Sequence, residues 1–365
     1  MAKNLLIVES PAKAKTINKY LGKDFQVLAS YGHVRDLVPK EGAVDPERDF
    51  AMRYELIDRN ERHVDAIAKA AKSADALFLA TDPDREGEAI SWHIAEVLRE
   101  RGLLKDKTLQ RVVFTEITPR AIKEAMSKPR AVSDNLVNAQ QARRALDYLV
   151  GFNLSPVLWR KVQRGLSAGR VQSPALRMIV EREEEIEAFV PREYWSAEAQ
   201  LAHAVTPFNA KLVKLDGKKV EQFTLTNAAD AEAARARLVK AAGDALHVSD
   251  VQSRERKRRP APPFITSTLQ QEAARKLGFS TSRTMRVAQK LYEGVSLGDQ
   301  GTVGLISYMR TDSTHLSQEA VAELREVIAR DFGSDALPAA ANEYRTKSKN
   351  AQEAHEAIRP TSAKL

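Results

Sequence analysis

Residues 76–88 read Ala-Leu-Phe-Leu-Ala-Thr-Asp-Pro-Asp-Arg-Glu-Gly-Glu, an apolar run that changes at once into an acidic one. An apolar run of this length that ends at a proline turn predicts a buried strand. In open α/β sheets, sites form at the carboxyl ends of the strands. We therefore expect the acidic residues at positions 82, 84, 86 and 88 to lie where a sheet carries its chemistry.

The acidic run raises the question of a metal. Closely spaced carboxylates repel one another unless a cation lies among them. Oxygen ligands with few other donors suit Mg²⁺, so Asp82, Asp84 and Glu86 are candidate ligands. A second interpretation stays open from these residues alone. In a solvated turn that leads into a helix, Glu86 and Glu88 would suit the helix dipole without any metal.

The start of the chain repeats this arrangement. The apolar residues 4–8 are followed by Glu9, and Ser10 with the next proline predicts the beginning of a helix. Lys13 and Lys15 lie in its first two turns. Lysines beside carboxylates and a helix N-terminus are typical of a phosphate site. An ordinary capped helix with surface lysines is the simpler interpretation of this segment alone.

The two segments together resemble the Toprim domain, which type IA and type II topoisomerases share with some primases. That domain carries one Glu after its first strand and an Asp-x-Asp-x-Glu cluster after a later strand. The matching residues here are Glu9 and then Asp82, Asp84 and Glu86.

A second string, Gly-Leu-Ile-Ser-Tyr-Met-Arg-Thr-Asp-Ser at residues 304–313, resembles the active-site segment of the bacterial DNA topoisomerase I family. A tyrosine with an arginine two positions later is a weak signal by itself, but the longer string is specific. Other strings agree with the same family in the same order, at residues 31–37, 167–176, 263–270 and 355–361. The resemblance covers nearly the whole chain.

The resemblance implies a chemistry for these residues. Tyr308 would be the nucleophile that takes the 5′-phosphate and frees a 3′-hydroxyl. Glu9 would be the general acid for the leaving oxygen and the base on religation. Arg310 and Lys13 would add positive charge at the phosphate. His355 would lie near the scissile phosphate and join the acidic cluster.

The resemblance also implies a cofactor and a DNA path. Mg²⁺ would be held by Asp82, Asp84, Glu86 and Glu9. The residues implied in gripping single-stranded DNA are His33, Arg85, Arg143, Arg144, Asp147, Arg170 and Gln172. For the arginines, salt bridges on a helix surface remain an alternative.

Composition limits the class of protein. The chain has 365 residues, 43% of them hydrophobic, which is enough for two or more domains. No apolar run approaches the ~20 residues that span a membrane, and the N-terminus has no signal-peptide pattern. The absence of cysteine excludes disulfides and thiolate zinc sites in this chain. We expect a cytoplasmic protein associated with the nucleoid.

The charge distribution predicts a polyanionic partner. The net charge is +8, and residues 251–290 carry ten Lys or Arg against two Glu. The basic run at 254–259 could be a solvated linker, but basic residues continue along the segment that follows, so a phosphate-contacting face is favoured. The expected partners are single-stranded and negatively supercoiled DNA, bound by a monomer. Protein partners are expected only through C-terminal modules.

The predicted fold class is α/β plus α+β, in several domains. Strands are expected at 4–8, 25–30, 76–80 and 111–114, alternating with helices in a parallel sheet. Further elements are expected as helices over 134–188, a hairpin at Asp216-Gly217, a helix over 228–241, and helices over 265–330 around a short strand or loop at 303–308.

The domain arrangement comes from the resemblance. It implies a Toprim-type domain over 1–128, with an excursion near 36–62 into a helical DNA-gripping domain over 129–190. A strand-rich arch would take 191–252, and a helical domain with the tyrosine would take 253–365. Together these would form part of the type IA torus. The family's chains normally continue further, so we interpret this sequence as an N-terminal portion.

The expected function is that of an ATP-independent type IA topoisomerase that relaxes negatively supercoiled DNA. No G-x-x-x-x-G-K-[ST] loop occurs, in agreement with ATP independence. The related topoisomerase III usually has Pro after the tyrosine, whereas Met309 stands here. A Toprim primase or nuclease would leave Tyr308 and Arg310 without a purpose. A non-catalytic single-stranded DNA-binding fragment is the remaining alternative.

Overall fold

The computed structural model describes residues 3–256, 258–298, 301–344 and 356–364. Its helices are α1 (Pro11–Leu21), α2 (Glu61–Ser73), α3 (Arg85–Glu100), α4 (Pro119–Ser127), α5 (Asp134–Lys161), α6 (Gln172–Glu187), α7 (Ala228–Ala242), α8 (Thr266–Leu277), α9 (Thr281–Glu293) and α10 (Gln318–Phe332). Its strands are β1 (Asn4–Val8), β2 (Phe25–Ala29), β3 (Arg35–Leu37), β4 (Val44–Asp45), β5 (Ala51–Met52), β6 (Tyr54–Leu56), β7 (Ala76–Leu79), β8 (Thr108–Arg111), β9 (Glu198–His203), β10 (Thr206–Lys211), β11 (Lys214–Leu215), β12 (Lys218–Lys219), β13 (Val295–Ser296) and β14 (Thr302–Val303).

A parallel sheet with the strand order β2-β1-β7-β8 positions the acidic residues. Because the carboxyl ends of all four strands lie at one edge, the residues after β1 and β7 become neighbours. The expected parallel sheet and its first strand are confirmed. The strands expected at 25–30 and 76–80 each end one residue earlier, at Ala29 and Leu79.

The strand expected at 111–114 is wrong. β8 covers Thr108–Arg111, and Val112 adds one more ladder hydrogen bond, from its N–H to the Leu79 carbonyl at 2.9 Å. Since β7 ends at Leu79, the chain beyond Val112 has no neighbouring strand to pair with. The apolar residues Val112 and Phe114 are buried in the core on one face of the sheet instead.

Alternation along β1 sends its side chains into two different cores. Leu5 and Ile7 belong to one core, which packs against α2 and α3. Leu6 and Val8 belong to a second core that also contains Tyr308. The tyrosine segment therefore packs directly against this sheet.

Backbone hydrogen bonds fix the tyrosine segment after the antiparallel pair β13–β14. The Gly304 N–H donates to the Ile117 carbonyl at 3.2 Å, and the Tyr308 N–H donates to the Thr115 carbonyl at 2.8 Å. A Cβ at Gly304 would lie 2.7 Å from the Tyr292 carbonyl oxygen, so no other residue fits without a shift. The expected short strand or loop at 303–308 is confirmed.

The segment between β3 and β6 leaves the parallel sheet. It forms two antiparallel pairs, β3 with β6 and β4 with β5. Leu37 and Val44 in this segment share a core with Ala145 and Tyr148 of α5. This segment thus packs on the long helix that carries several of the candidate DNA contacts.

The chain divides into two compact units, Met1–Gly169 with Pro260–Leu365, and Arg170–Arg259. The second unit contains the pair β9–β10 and a hairpin whose turn residues Asp216 and Gly217 have φ of 52° and 75°. Both angles suit the two-residue turn that an Asp-Gly hairpin favours. The hairpin, the helices over 134–188 and the helix near 228–241 are confirmed. The mixed fold class is confirmed too, while the finer domain bounds remain a prediction.

No helix within the described ranges has both the length and the apolar character needed to cross a membrane.

Candidate active site

The loop after β7 brings two aspartates onto one tight turn. Asp84 is the N-cap of α3, and its Oδ1 accepts a hydrogen bond from the Gly87 N–H at 2.9 Å. A Cβ at Gly87 would lie 2.2 Å from the Asp82 carbonyl oxygen, so only glycine allows this close approach. The Thr81 hydroxyl donates to the Gly87 carbonyl at 2.6 Å and closes the turn.

A buried arginine on β8 holds the backbone of this loop through hydrogen bonds. Arg111 is fully buried and donates from Nη2 to the Asp82 carbonyl at 2.6 Å. Its Nε donates to Glu88 at 3.0 Å, and Arg130 donates to the same carboxylate at 2.7 and 2.9 Å. Glu88, the fourth acid of the run, is therefore a structural partner of two arginines and does not face the aspartates' cavity.

Lys13 connects the two strand ends. Its ammonium is fully buried and donates to both Glu9 and Asp82. The Asp82 N–H also donates to Glu9 Oε2 at 3.1 Å. Lys13, a surface lysine in the simpler interpretation of its segment, is thus the cation between two carboxylates that lie 73 positions apart along the chain.

Burial and the neighbouring charges shift the pKa values of Asp82 and Lys13. Burial raises the pKa of Asp82 to about 7; Lys13 opposes the rise and Glu9 adds to it. For Lys13, burial by itself lowers the pKa, but the charges of Glu9 and Asp82 and its hydrogen bonds to them outweigh burial and raise that pKa. Asp82 can therefore hold a proton near neutral pH while the lysine stays charged.

Tyr308 lies against the second aspartate. Its hydroxyl donates to Asp84 Oδ2 at 2.6 Å, and its side chain is 3% exposed. Burial, with the nearby charges of Asp82 and Asp84, raises the pKa of the phenol. Arg310 Nη1 is 3.9 Å from the same Oδ2 atom, and its side chain is 58% exposed. The candidate nucleophile is therefore a protonated phenol on a carboxylate acceptor, with a guanidinium nearby.

Glu86 takes part in a separate polar contact. Its Oε2 is 3.5 Å from His33 Nε2 and accepts a hydrogen bond from Gln140 at 3.2 Å. Asn60 holds the backbone of His33 through a 2.7 Å hydrogen bond. The hydrogen bond with His33 lowers the pKa of Glu86 to about 2, and Gln140 and Arg143 add to this effect against burial.

An open cavity of about 1140 Å³ joins most of these groups. Its polar lining includes Glu9, His33, Asp82, Asp84, Arg85, Glu86, Arg143 and Arg310. A lining that combines carboxylates with guanidinium groups suits an elongated anion that also carries cations.

The remaining candidate residues lie elsewhere. Arg144 is paired with Asp36 through two 2.8 Å hydrogen bonds and lines a neighbouring pocket, and Asp147 lies half-buried on α5. Arg170 and Gln172 belong to the second compact unit. His355 lies outside the described residues.

The donor set fits Mg²⁺ by chemistry, since the hard carboxylate oxygen atoms of Glu9, Asp82, Asp84 and Glu86 line one cavity. Their present arrangement does not gather them around one point. Within the described ranges, no group of three or more His, Asp or Glu side chains is positioned to hold a metal ion. Lys13 and the Tyr308 hydroxyl now hold the carboxylate oxygens that a cation would use.

Two features of the site escaped sequence reasoning. Tyr292 is fully buried beside Lys13 and Tyr308. Arg359 donates to Glu116 at 2.9 Å and to Glu356 at 2.6 Å, which connects residues 356–364 to the loop after β8. The family-like string at 355–361 contained Arg359, but nothing along the chain indicated its partner 243 positions away.

Comparison with known proteins agrees with these segments. A family model described as Toprim domain matches residues 4–117, and one described as DNA topoisomerase matches residues 131–365. The chain is 75% identical over 363 residues to DNA topoisomerase 1 of Xylella fastidiosa (strain Temecula1), covering 100% of this chain and 44% of that protein. It is 56% identical over 359 residues to DNA topoisomerase 1 of Rickettsia felis, covering 98% and 46%.

A solved structure matches as well. Full-length topoisomerase I from Thermotoga maritima superposes with a TM-score of 0.76 at 41% identity, over 98% of this chain and 55% of that chain. The chain thus spans less than half the length of these curated relatives and about half of the solved chain.

Proposed function

Because the chain belongs to the DNA topoisomerase family, we propose that it carries the strand-cleaving centre of an ATP-independent type IA topoisomerase. The observation that carries this proposal is the contact between the Tyr308 hydroxyl and Asp84, next to the Glu9–Lys13–Asp82 trio. In this proposal DNA is the substrate, and negatively supercoiled DNA is relaxed. We expect the protein at the nucleoid in the cytoplasm.

Cleavage would start with Tyr308. Its phenolic oxygen forms a bond to the phosphorus of a DNA phosphodiester, and its proton passes to the Asp84 carboxylate that already accepts it. Tyr308 is buried in the present state, so the phosphate must reach it by local opening of the cavity wall. Arg310 is placed to stabilise the charge that develops on the phosphate oxygens.

The leaving group is the 3′-oxygen of the upstream strand. The bond between phosphorus and that oxygen breaks, and Glu9 donates the proton that the oxygen needs. Asp82 can support this role, because its pKa is raised to about 7 and its N–H donates to Glu9 at 3.1 Å, so a proton can be held next to Glu9 near neutral pH. Religation reverses each step: the 3′-hydroxyl gives its proton to Glu9 and displaces the tyrosine.

Mg²⁺ is the proposed cofactor, since the Toprim domain is generally a metal-binding domain. Asp82, Asp84 and Glu86 would hold it, with Glu9 nearby. When bound, the ion would supply electrostatic clamping and orientation of the phosphate. His33, Arg85, Arg143, Arg144, Asp147, Arg170 and Gln172 remain proposed contacts to single-stranded DNA, and His355 remains a proposed neighbour of the phosphate.

A labelled-oligonucleotide assay tests the proposal. Single-stranded oligonucleotides labelled at the 5′ or 3′ end are incubated with the chain and Mg²⁺ and then denatured on a gel. We expect the 3′ label to stay on the protein, because the tyrosine holds the 5′-phosphate of the downstream fragment. Tyr308→Phe should abolish this product, and Tyr344→Phe, a half-buried tyrosine of the same unit that does not line the cavity, should retain it.

The second candidate function is binding of single-stranded DNA without cleavage. It is favoured by the burial of Tyr308, which is 3% exposed in the present state. Under this alternative, the denaturing gel would show no covalent product for the parent or for Tyr308→Phe, and a native gel with the same oligonucleotides would show salt-sensitive binding by both.

A further inference from the structure

Tyr292, near the C-terminal end of α9, has a buried hydroxyl without a partner. Its side chain is fully buried. Its buried hydroxyl forms no hydrogen bond with any described residue. Buried hydroxyl groups are usually paired, because an unpaired one opposes folding. Phenylalanine would fill the same space without that cost, so the hydroxyl indicates a second state of the site.

The surroundings of Tyr292 show which groups that state involves. Lys13 Nζ is 4.8 Å from the centroid of its ring. The Tyr308 ring meets it edge-on, with centroids 5.3 Å apart and planes at 64°. Burial, then the charges of Asp82, Glu9 and Tyr308, and the proximity of the Asp82 carboxylate to the hydroxyl raise the pKa of the Tyr292 phenol. The group therefore stays a donor close to Asp82, although it forms no hydrogen bond of normal geometry in the present state.

Lys13 is the group that links these neighbours. Its ammonium now donates to both Glu9 and Asp82. This inference rests on the proposed function and on the role that the family resemblance implies for Lys13, which is to supply positive charge at a DNA phosphate. A lysine that turns toward the phosphate withdraws a hydrogen bond from a carboxylate that is 13% exposed. Such a carboxylate then needs another donor.

We propose that Tyr292 is a positioning residue whose hydroxyl donates to Asp82 when Lys13 turns from Asp82 to the phosphate. The exchange replaces one hydrogen bond by another, and both protons stay on their own groups. Meanwhile the Tyr292 ring keeps its edge contact with Tyr308, so the nucleophile holds its place.

A double-mutant cycle on thermal stability tests the exchange without DNA. Tyr292→Phe should leave the melting temperature unchanged or raise it, because the present state loses no hydrogen bond. Lys13→Met removes the competing donor, so Tyr292 should then donate to Asp82. In that background Tyr292→Phe should lower the melting temperature by about 2 °C or more. Equal changes in both backgrounds would overturn the proposal.

Cleavage of a labelled oligonucleotide gives a second, independent test. At saturating DNA, Tyr292→Phe should slow single-turnover cleavage about tenfold, since one hydrogen bond to a carboxylate is missing in the reacting state. The dissociation constant for DNA should not change. The matched control is Tyr20→Phe, which loses a 2.8 Å hydrogen bond to the Thr302 carbonyl away from the carboxylates. It should lower the melting temperature and leave the cleavage rate unchanged.

The two tests separate this inference from the proposed function. An unchanged cleavage rate in Tyr292→Phe, with the parent active, would overturn the inference alone. A parent chain that forms no covalent product would count against the proposed function, and the stability cycle would still decide on Tyr292. If Lys13→Met does not fold, the cleavage rates decide.

Discussion

Lys13 shows how a single buried cation can hold a reactive site together. Glu9 and Asp82 come from the ends of two neighbouring strands, and the lysine from the first turn of α1 lies between them. Without it, two poorly solvated carboxylates would face each other. The same need for positive charge makes the trio receptive to a metal ion or, in its absence, to a proton.

The proton that Asp82 holds makes the free energy of unfolding depend on pH. The pKa of Asp82 is raised from 3.8 to about 7, so between these values the folded chain holds a proton that the unfolded chain has released. The free energy of unfolding therefore falls as the pH rises through this window. Compared with Asp82→Asn, the parent should lose roughly 2–3 kcal/mol between about pH 5 and pH 7.5.

Urea unfolding in metal-free buffer measures this difference. Glu86 does not contribute to the change in the free energy of unfolding between about pH 5 and pH 7.5. Its pKa is lowered to about 2, so the stability that its carboxylate contributes is lost only as the pH falls toward that value. Asp75→Asn, an exposed aspartate just before β7, controls for the loss of one aspartate. Parallel curves for the parent and Asp82→Asn would contradict the assignment of the proton.

Single residues also show where sequence reasoning stops. Glu9 and Asp82 could be predicted because each follows an apolar run that forms a strand of the same sheet. Glu88 belongs to the same acidic run, yet it pairs with Arg111, which lies on the next strand. Tyr292 could not be predicted, since a tyrosine at helical spacing is ordinary core until its neighbours are known.

At the scale of elements, the buried ion pair between Arg359 and Glu116 holds the tyrosine segment to the sheet. Arg359 is 11% exposed and Glu116 is 6% exposed. The hydroxyl of Ser307, the residue before Tyr308, also accepts from the Arg359 N–H at 2.9 Å. These contacts therefore connect the loop after β8 with the tyrosine segment and with residues 356–364.

Removing this arginine should be costly. Arg359→Met leaves the carboxylates of Glu116 and Glu356 buried without their partner, and the free energy of unfolding should fall by about 3–5 kcal/mol. Urea unfolding measures the change. The matched control is Arg330→Met, which breaks an exposed pair with Asp331 and should leave stability essentially unchanged. Equal effects of the two substitutions would show that the buried pair does not hold the segment.

The elements themselves were largely predictable from periodicity and turn residues. The strand at 111–114 was not, because its length depends on where its neighbour β7 ends and not on its own apolar residues. The antiparallel pairs near 35–56 were also missed, since each is only two or three residues long and is held by packing on α5.

At the scale of the whole molecule, the basic charge should control DNA affinity. The net charge is +8, and the run at 254–259 is the densest cluster of arginines. Replacing Arg254, Arg256, Arg258 and Arg259 by Gln should weaken binding of single-stranded DNA. The slope of log affinity against log salt should decrease by up to about 3, at roughly 0.7 per phosphate contact.

Fluorescence anisotropy with an oligonucleotide at several salt concentrations measures this slope. The control replaces four exposed lysines outside the cluster, Lys69, Lys72, Lys105 and Lys123, by Gln. Both variants lose the same net charge, so only a local phosphate contact separates them. An equal loss of slope in the two would mean that net charge alone drives binding.

The central claim is that Tyr308 forms the covalent bond to DNA, and peptide mapping tests it most directly. The chain is trapped with a single-stranded oligonucleotide, the DNA is trimmed with nuclease, and the protein is digested with trypsin. Cleavage after Lys290 and Arg310 releases one peptide that contains both Tyr292 and Tyr308. Tandem mass spectrometry should place the nucleotide on Tyr308. A nucleotide on Tyr292 or on any other residue would contradict the account.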